Sequence, residues 1–131
     1  MSRRYAFLTV LYCAALFWLS STANPIRFEP AFAGEDKLVH AGLYAGLAFL
    51  VSLGMYRRNP RPNRSMQFWA PVVFASLYGV SDEFHQRFVP SRTSDIWDIC
   101  ADAAGSLLMQ VVLCRWICTR HPASTETQES Q

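Results

Sequence analysis

Four long apolar runs, at residues 5–21, 38–56, 67–86 and 96–118, alternate along this chain with shorter polar segments. A helix crossing a bilayer needs about 17–25 predominantly apolar residues, and each run meets that length. The helices of a soluble domain keep one wet face, but runs 5–21 and 38–56 leave almost no polar stripe. The pattern predicts an all-α fold: a polytopic membrane protein, built as a bundle of four transmembrane helices within residues 1–118. The remaining residues, 119–131, are polar and are expected to form a disordered tail.

The boundaries follow from local chemistry. The first run follows Arg3 and Arg4 and carries no charge for its whole length. Ser21-Thr22-Ala23 has the small-x-small form of a signal-peptidase site, but the run is long for a secretory signal and rich in bulky aromatics. An uncleaved anchor is the better reading. The second run ends in Arg57-Arg58-Asn59-Pro60-Arg61-Pro62-Asn63-Arg64, which can neither continue a helix nor enter hydrocarbon. The third ends in Ser81-Asp82-Glu83-Phe84-His85-Gln86, with Pro90 beyond it. The fourth is interrupted by Asp98, Asp102 and Arg115, and is the weakest of the four. A carboxylate costs about 2.5–3.5 kcal/mol at a bilayer centre, so these acids need help from neighbouring helices.

Composition adds little until it is placed on this pattern. The 131 residues allow one domain, and the mean hydropathy of +0.09 hides the segregation of the apolar half. The net charge of +2 is likewise uninformative as a total. With the N-terminus inside, the cytoplasmic side receives Arg3, Arg4, Arg57, Arg58, Arg61, Arg64, Arg115 and Arg120. The outer side receives Arg27, Lys37, Arg87 and Arg92. That asymmetry predicts cytoplasmic termini. The four cysteines lie inside apolar runs without a CxxC pair, which argues against disulfides and zinc knuckles. Membrane lipids are the expected partners, and nucleic acid is not.

In this topology the second helix starts, the third ends and the fourth starts at the outer face. The polar residues inside the apolar runs collect at those ends. Lys37, His40 and Tyr44 share one face of the second helix. Glu83 and Gln86 share a face of the third, with Asp82 and His85 on the adjacent one. Asp95, Asp98 and Asp102 lie within an arc of about 60° on the fourth, and Arg92 stands in the loop before it. The small pairs Gly42/Gly46 and Ala101/Gly105 flank these stripes and would let helices approach closely. Some of these residues have ordinary explanations. Lys37, Asp36 and Asp95 suit headgroups or a helix cap, Tyr44 and Trp97 suit an interfacial belt, and the acids could form an ion-pair network with Arg92 and the histidines. Three acids and two histidines nonetheless exceed what structure alone requires.

Three stretches resemble the VanZ-like family of small bacterial membrane proteins. Asp36-Lys37-Leu38-Val39-His40-Ala41-Gly42-Leu43-Tyr44 is similar to its D-K-x-x-H-x-x-x-Y pattern. Asp82-Glu83-Phe84-His85-Gln86-Arg87-Phe88-Val89-Pro90-Ser91-Arg92 resembles D-E-x-x-Q-x-F-x-P-x-R. Asp95-Ile96-Trp97-Asp98-Ile99-Cys100-Ala101-Asp102-Ala103-Ala104-Gly105 resembles D-x-x-D-x-x-x-N/D-x-x-G. Asp102 stands where Asn is frequent, which adds a charge, and Ser91 where Gly is frequent, which stiffens the loop. The resemblance implies a four-helix protein of the bacterial cytoplasmic membrane, in a family whose named member is associated with teicoplanin resistance.

Four functions fit these residues. The outer-face cluster could bind an anionic or amphiphilic ligand, lipid-linked or of glycopeptide type, with Arg92 and Lys37 taking a phosphate or carboxylate. It could serve an intramembrane hydrolase or transferase, with His40 or His85 as general base, although no nucleophile stands out among Ser81, Ser91 and Ser94. Proton movement along the carboxylates and histidines is a third reading, opposed by an inner half with few large polar groups. A structural packing subunit is the fourth. No cofactor or metal is expected: a divalent ion on Glu83, Asp98, Asp102 and a histidine ranks below the binding reading.

Overall fold

The computed structural model describes residues 3–22, 32–90, 92 and 94–120, with the last four by backbone alone. It contains four helices: α1 (Arg3–Ser21), α2 (Glu35–Tyr56), α3 (Arg64–Gln86) and α4 (Ile96–Arg120). Each apolar run is one helix, and α1, α2 and α3 begin two or three residues before the apolar residues do. Polar first turns explain the extension. Gly34, at φ 93°, turns the chain into α2 through a left-handed conformation that side chains disfavour. Glu35 and Asp36 then face the positive end of the helix dipole. The Asn63 side chain caps α3 by accepting the Met66 N–H at 2.7 Å. Thr119 and Arg120 continue α4 rather than opening the tail. The segment holding the candidate cleavage site's Ala23, and the tail from residue 121, lie outside the described residues.

Side-chain contacts fix the chain direction. The start of α2 touches the start of α4 through Lys37 and Asp95, and the end of α3 reaches the same place through Glu83. The end of α1 meets the end of α3 through Ser21 and His85. Successive helices therefore alternate up and down. The most extensive interface is α2 against α4; α1 packs on α2 and α3 only, among the described residues.

The bundle is turned inside out relative to a soluble protein. Its apolar core is small and centred on Leu16, Tyr44, Leu47, Ala48 and Ala75. Asp82, Glu83, Gln86, Asp98, Asp102, Ser106 and Gln110 are also buried, whereas Phe7, Trp18, Leu38, Leu77 and Leu108 are exposed. Water would not tolerate that arrangement, and hydrocarbon favours it. Three helices are long and apolar enough to cross a membrane: α1, α2 and α4 as far as Trp116. The expected weakest span, α4, thus passes, and α3 is the one that falls short. Asp82, Glu83 and Gln86 are inside the bundle, while Trp69, Val73, Leu77, Val80 and Phe84 form an exposed apolar stripe on the other side. Mean hydropathy therefore underrates the face that α3 offers to lipid.

The small residues do different jobs. A Cβ on Gly105 would overlap the backbone of Ala41, so α2 and α4 are in direct main-chain contact there. Gly46 instead makes room for the phenol of Tyr12, whose hydroxyl donates to the Leu43 carbonyl at 3.0 Å. Gly42 has nothing nearby and opens on an apolar groove lined by Ala45, Leu108, Met109 and Val112. Deeper in the bundle, Ser52 Oγ donates to Gln110 Oε1 at 3.0 Å, and Gln110 Nε2 donates to Ser52 Oγ at 2.7 Å.

Candidate functional site: a buried acidic and imidazole cluster

The alternating directions bring three helix ends to one place. Asp95 caps α4 by accepting the Trp97 N–H at 3.0 Å on its Oδ1. Its Oδ2 accepts from Lys37 Nζ, also at 3.0 Å. The same ammonium donates to Asp36 at 3.0 Å and to Asp98 at 3.3 Å, so it sits among three carboxylates. The backbone N–H of Trp97, and after it the Lys37 ammonium, hold the Asp95 carboxyl below its ordinary value.

One turn further into the bundle, His40 Nδ1 lies 3.1 Å from Asp102 Oδ1. When Asp102 is ionised its carboxylate only accepts, and Nδ1 then carries the hydrogen while Nε2 is left for another partner. Asp102 has no solvent exposure. Its side chain fits because α3 presents Gly79 to it: a Cβ there would lie 2.5 Å from Asp102 Oδ2. The motif reading missed Gly79, since nothing in a single sequence marks which glycine faces an acid. Glu83 is 1% exposed, and its Oε2 accepts the Asp95 N–H at 3.0 Å. A nitrogen of His40 and carboxylate oxygens of Glu83 and Asp98 all lie within 4.8 Å of one another.

The remaining expected residues divide. Tyr44 is buried at 1% exposure rather than lying in an interfacial belt, with its ring stacked on His40. Asp82 Oδ2 accepts from Gln86 Nε2 at 3.1 Å inside α3. His85 turns away from the cluster and towards α1, with Nε2 2.9 Å from Ser21 Oγ and its ring 4.5 Å from that of Phe17. Arg92 also faces α1: its Nη2 donates to the carbonyls of Leu19 at 3.0 Å and Thr22 at 3.3 Å, completing the helix C-terminus. The cluster proper is therefore Lys37, His40, Tyr44, Asp82, Glu83, Gln86, Asp95, Asp98 and Asp102.

Among the described residues, several of its polar atoms are buried without a hydrogen-bond partner: Tyr44 OH, Asp82 Oδ1, Glu83 Oε1 and Asp102 Oδ2. Leaving such a group unsatisfied costs about 1–3 kcal/mol, and more if it is charged. The three carboxylate oxygens among them form a ready set of acceptors for donors or cations arriving from outside, while the Tyr44 hydroxyl can itself donate.

An inside-out bundle of four helices with a buried ionisable cluster at one end defines a class: small multipass membrane proteins that keep polar side chains inside one end of the bundle. Within that class the assignment is direct. The VanZ/LLP1 family profile matches residues 5–118, and the chain belongs to that family. No curated protein and no solved structure matches it.

Proposed function

We propose that this protein is a cell-envelope component of the bacterial cytoplasmic membrane, with both termini cytoplasmic, that binds an amphiphilic ligand at the outer end of its bundle. The ligand is of lipid-linked or glycopeptide type. Its apolar part would lie in the lipid, and its headgroup would donate hydrogen bonds to the cluster. The set of unpartnered buried acceptors carries this reading. Sugar hydroxyls and amines are donors of the kind they lack.

The placement of the cations supports an amphiphile over a bare anion. Lys37 is already surrounded by three carboxylates, and Arg92 is engaged with α1. The orientation rests on the arginines of the loop between α2 and α3 and those flanking α1 and α4. A second reading, hydrolysis or group transfer on a lipid-linked substrate, is favoured by the His40–Asp102 pair, in which a carboxylate orients a candidate general base.

The test is charge-neutralising replacement of Glu83, Asp98 and Asp102 in turn, with Arg92→Lys as a fourth variant. Membrane abundance and survival under glycopeptide or envelope stress are scored together. Normal abundance with lost protection in Glu83→Gln and Asp98→Asn is the expected result. Parallel loss of abundance in all variants would make the cluster polar glue for a packing subunit instead.

A further inference from the structure

Around His40 two buried carboxylates come together, and only one of them, Asp98, takes a hydrogen bond from Lys37 among the described residues. Nδ1 is committed to Asp102, so Nε2 is the nitrogen free to act as a ligand. A nitrogen of His40 and one carboxylate oxygen each from the buried Glu83 and Asp98 lie within 4.8 Å of one another. Lys37 reaches Asp98 at 3.3 Å, but its hydrogen bonds are to Asp36, Asp95 and Asp98 and not to Glu83. Among the described residues, Glu83 Oε1 is buried without a hydrogen-bond partner. A lone pair on imidazole and two carboxylates placed together repel unless something positive stands between them.

We propose that His40, Glu83 and Asp98 bind one first-row divalent metal ion, Zn²⁺ or Mn²⁺, with Asp102 orienting His40 as its hydrogen-bonded supporting group. The donor set is one imidazole and two carboxylates, one from each of three helices, and it suits either ion. Metal–oxygen and metal–nitrogen bonds of about 2.0–2.2 Å place two donors on one ion no more than about 4.4 Å apart. The 4.8 Å envelope therefore needs only a few tenths of an ångström of side-chain movement. The carboxylate–histidine–metal arrangement is the usual way a ligating imidazole is held in one tautomer. Three protein ligands also leave coordination positions open to water or to an oxygen of a bound molecule. The ion would share Glu83 with the acceptors on which the amphiphile reading rests, but its binding is measured without any amphiphile.

The full-length protein, purified in detergent and stripped with a chelator, is titrated with Zn²⁺ and separately with Mn²⁺ by calorimetry. Bound metal is counted after gel filtration. One equivalent of at least one of the two ions is expected, with a dissociation constant in the micromolar range or tighter. His40→Gln, Glu83→Gln and Asp98→Asn should each weaken binding at least tenfold at unchanged helix content. Asp102→Ala should weaken it by about 10–100-fold. Asp36→Asn, at the rim, should not change it. Wild-type protein that binds neither ion saturably at millimolar concentration overturns the proposal, whether or not any variant folds. So does full affinity in the three ligand variants.

Discussion

Gly105 on α4 lies directly against the carbonyl of Ala41 on α2, with no space for a side chain between them. Because the obstacle is backbone, neither helix can yield locally, and Gly105→Ala has to push α2 and α4 apart. Overpacking of this kind costs about 1–3 kcal/mol. Gly42 makes no contact of this kind, so Gly42→Ala should be neutral or mildly stabilising, by about 0.5–1 kcal/mol from helix propensity alone. Thermal unfolding of both variants in the same detergent checks the contrast. Equal destabilisation would mean that α2 and α4 do not cross where the structure places them.

The Ser52–Gln110 pair makes a similar claim about the middle of the bundle. Interhelical hydrogen bonds in membranes are worth about 0.6 kcal/mol on average and at most about 1.7. A double-mutant cycle with Ser52→Ala and Gln110→Leu should give a coupling in that range. Because the pair only glues α2 to α4, all three variants should keep the properties of the cluster. A coupling near zero would show that the two side chains do not meet.

The sequence carried the fold well because hydrophobic segregation is a long-range signal: each of the four apolar runs is one helix. It also placed His40, Glu83 and Asp98 at one depth, since helix direction follows from the alternation of short loops. What it could not supply was rotation. The first run is apolar all round, so periodicity does not reveal which side of α1 meets the bundle. The contacts of Ser21, Phe17 and Tyr12 with His85 and Gly46 were therefore invisible. For the same reason the sequence pattern groups Arg92 and His85 with the cluster, when α1 takes both. Tyr44 is the opposite case: an aromatic near a helix start reads equally well as interfacial or buried, and its place on the face of Lys37 and His40 puts it inside the bundle.

Arg92 offers a way to separate packing from binding. Its guanidinium joins the loop before α4 to the last turn of α1 through two carbonyls. Lysine can still donate to a carbonyl, so Arg92→Lys should keep abundance close to wild type. Arg92→Ala leaves the α1 terminus without its cap and should lower abundance and increase proteolysis near Thr22. Protection from envelope stress should follow abundance in both variants. If Arg92→Lys keeps full abundance but loses protection, the guanidinium contacts a ligand in addition to α1.

Acid sensitivity at the mouth of the cluster can be traced to Asp95. Its carboxyl is held below the ordinary value of 3.8 by the Trp97 N–H and the Lys37 ammonium. A group whose pKa is lower in the folded state contributes stability above its unfolded pKa, and loses that contribution as pH falls through the folded value. The stabilising effect of Asp95 is therefore intact at neutral pH and disappears below about pH 4. Protonation removes both the charge that Lys37 uses and much of the strength of the α4 cap, so the start of α4 should loosen first. Unfolding temperatures measured from pH 7 to pH 3 should fall on the acid side of pH 4. Asp95→Asn should lower stability at neutral pH and flatten that acid limb, because it removes the charge but keeps a side-chain oxygen for the cap. An unchanged acid limb in Asp95→Asn would assign the transition to the other carboxylates of the cluster.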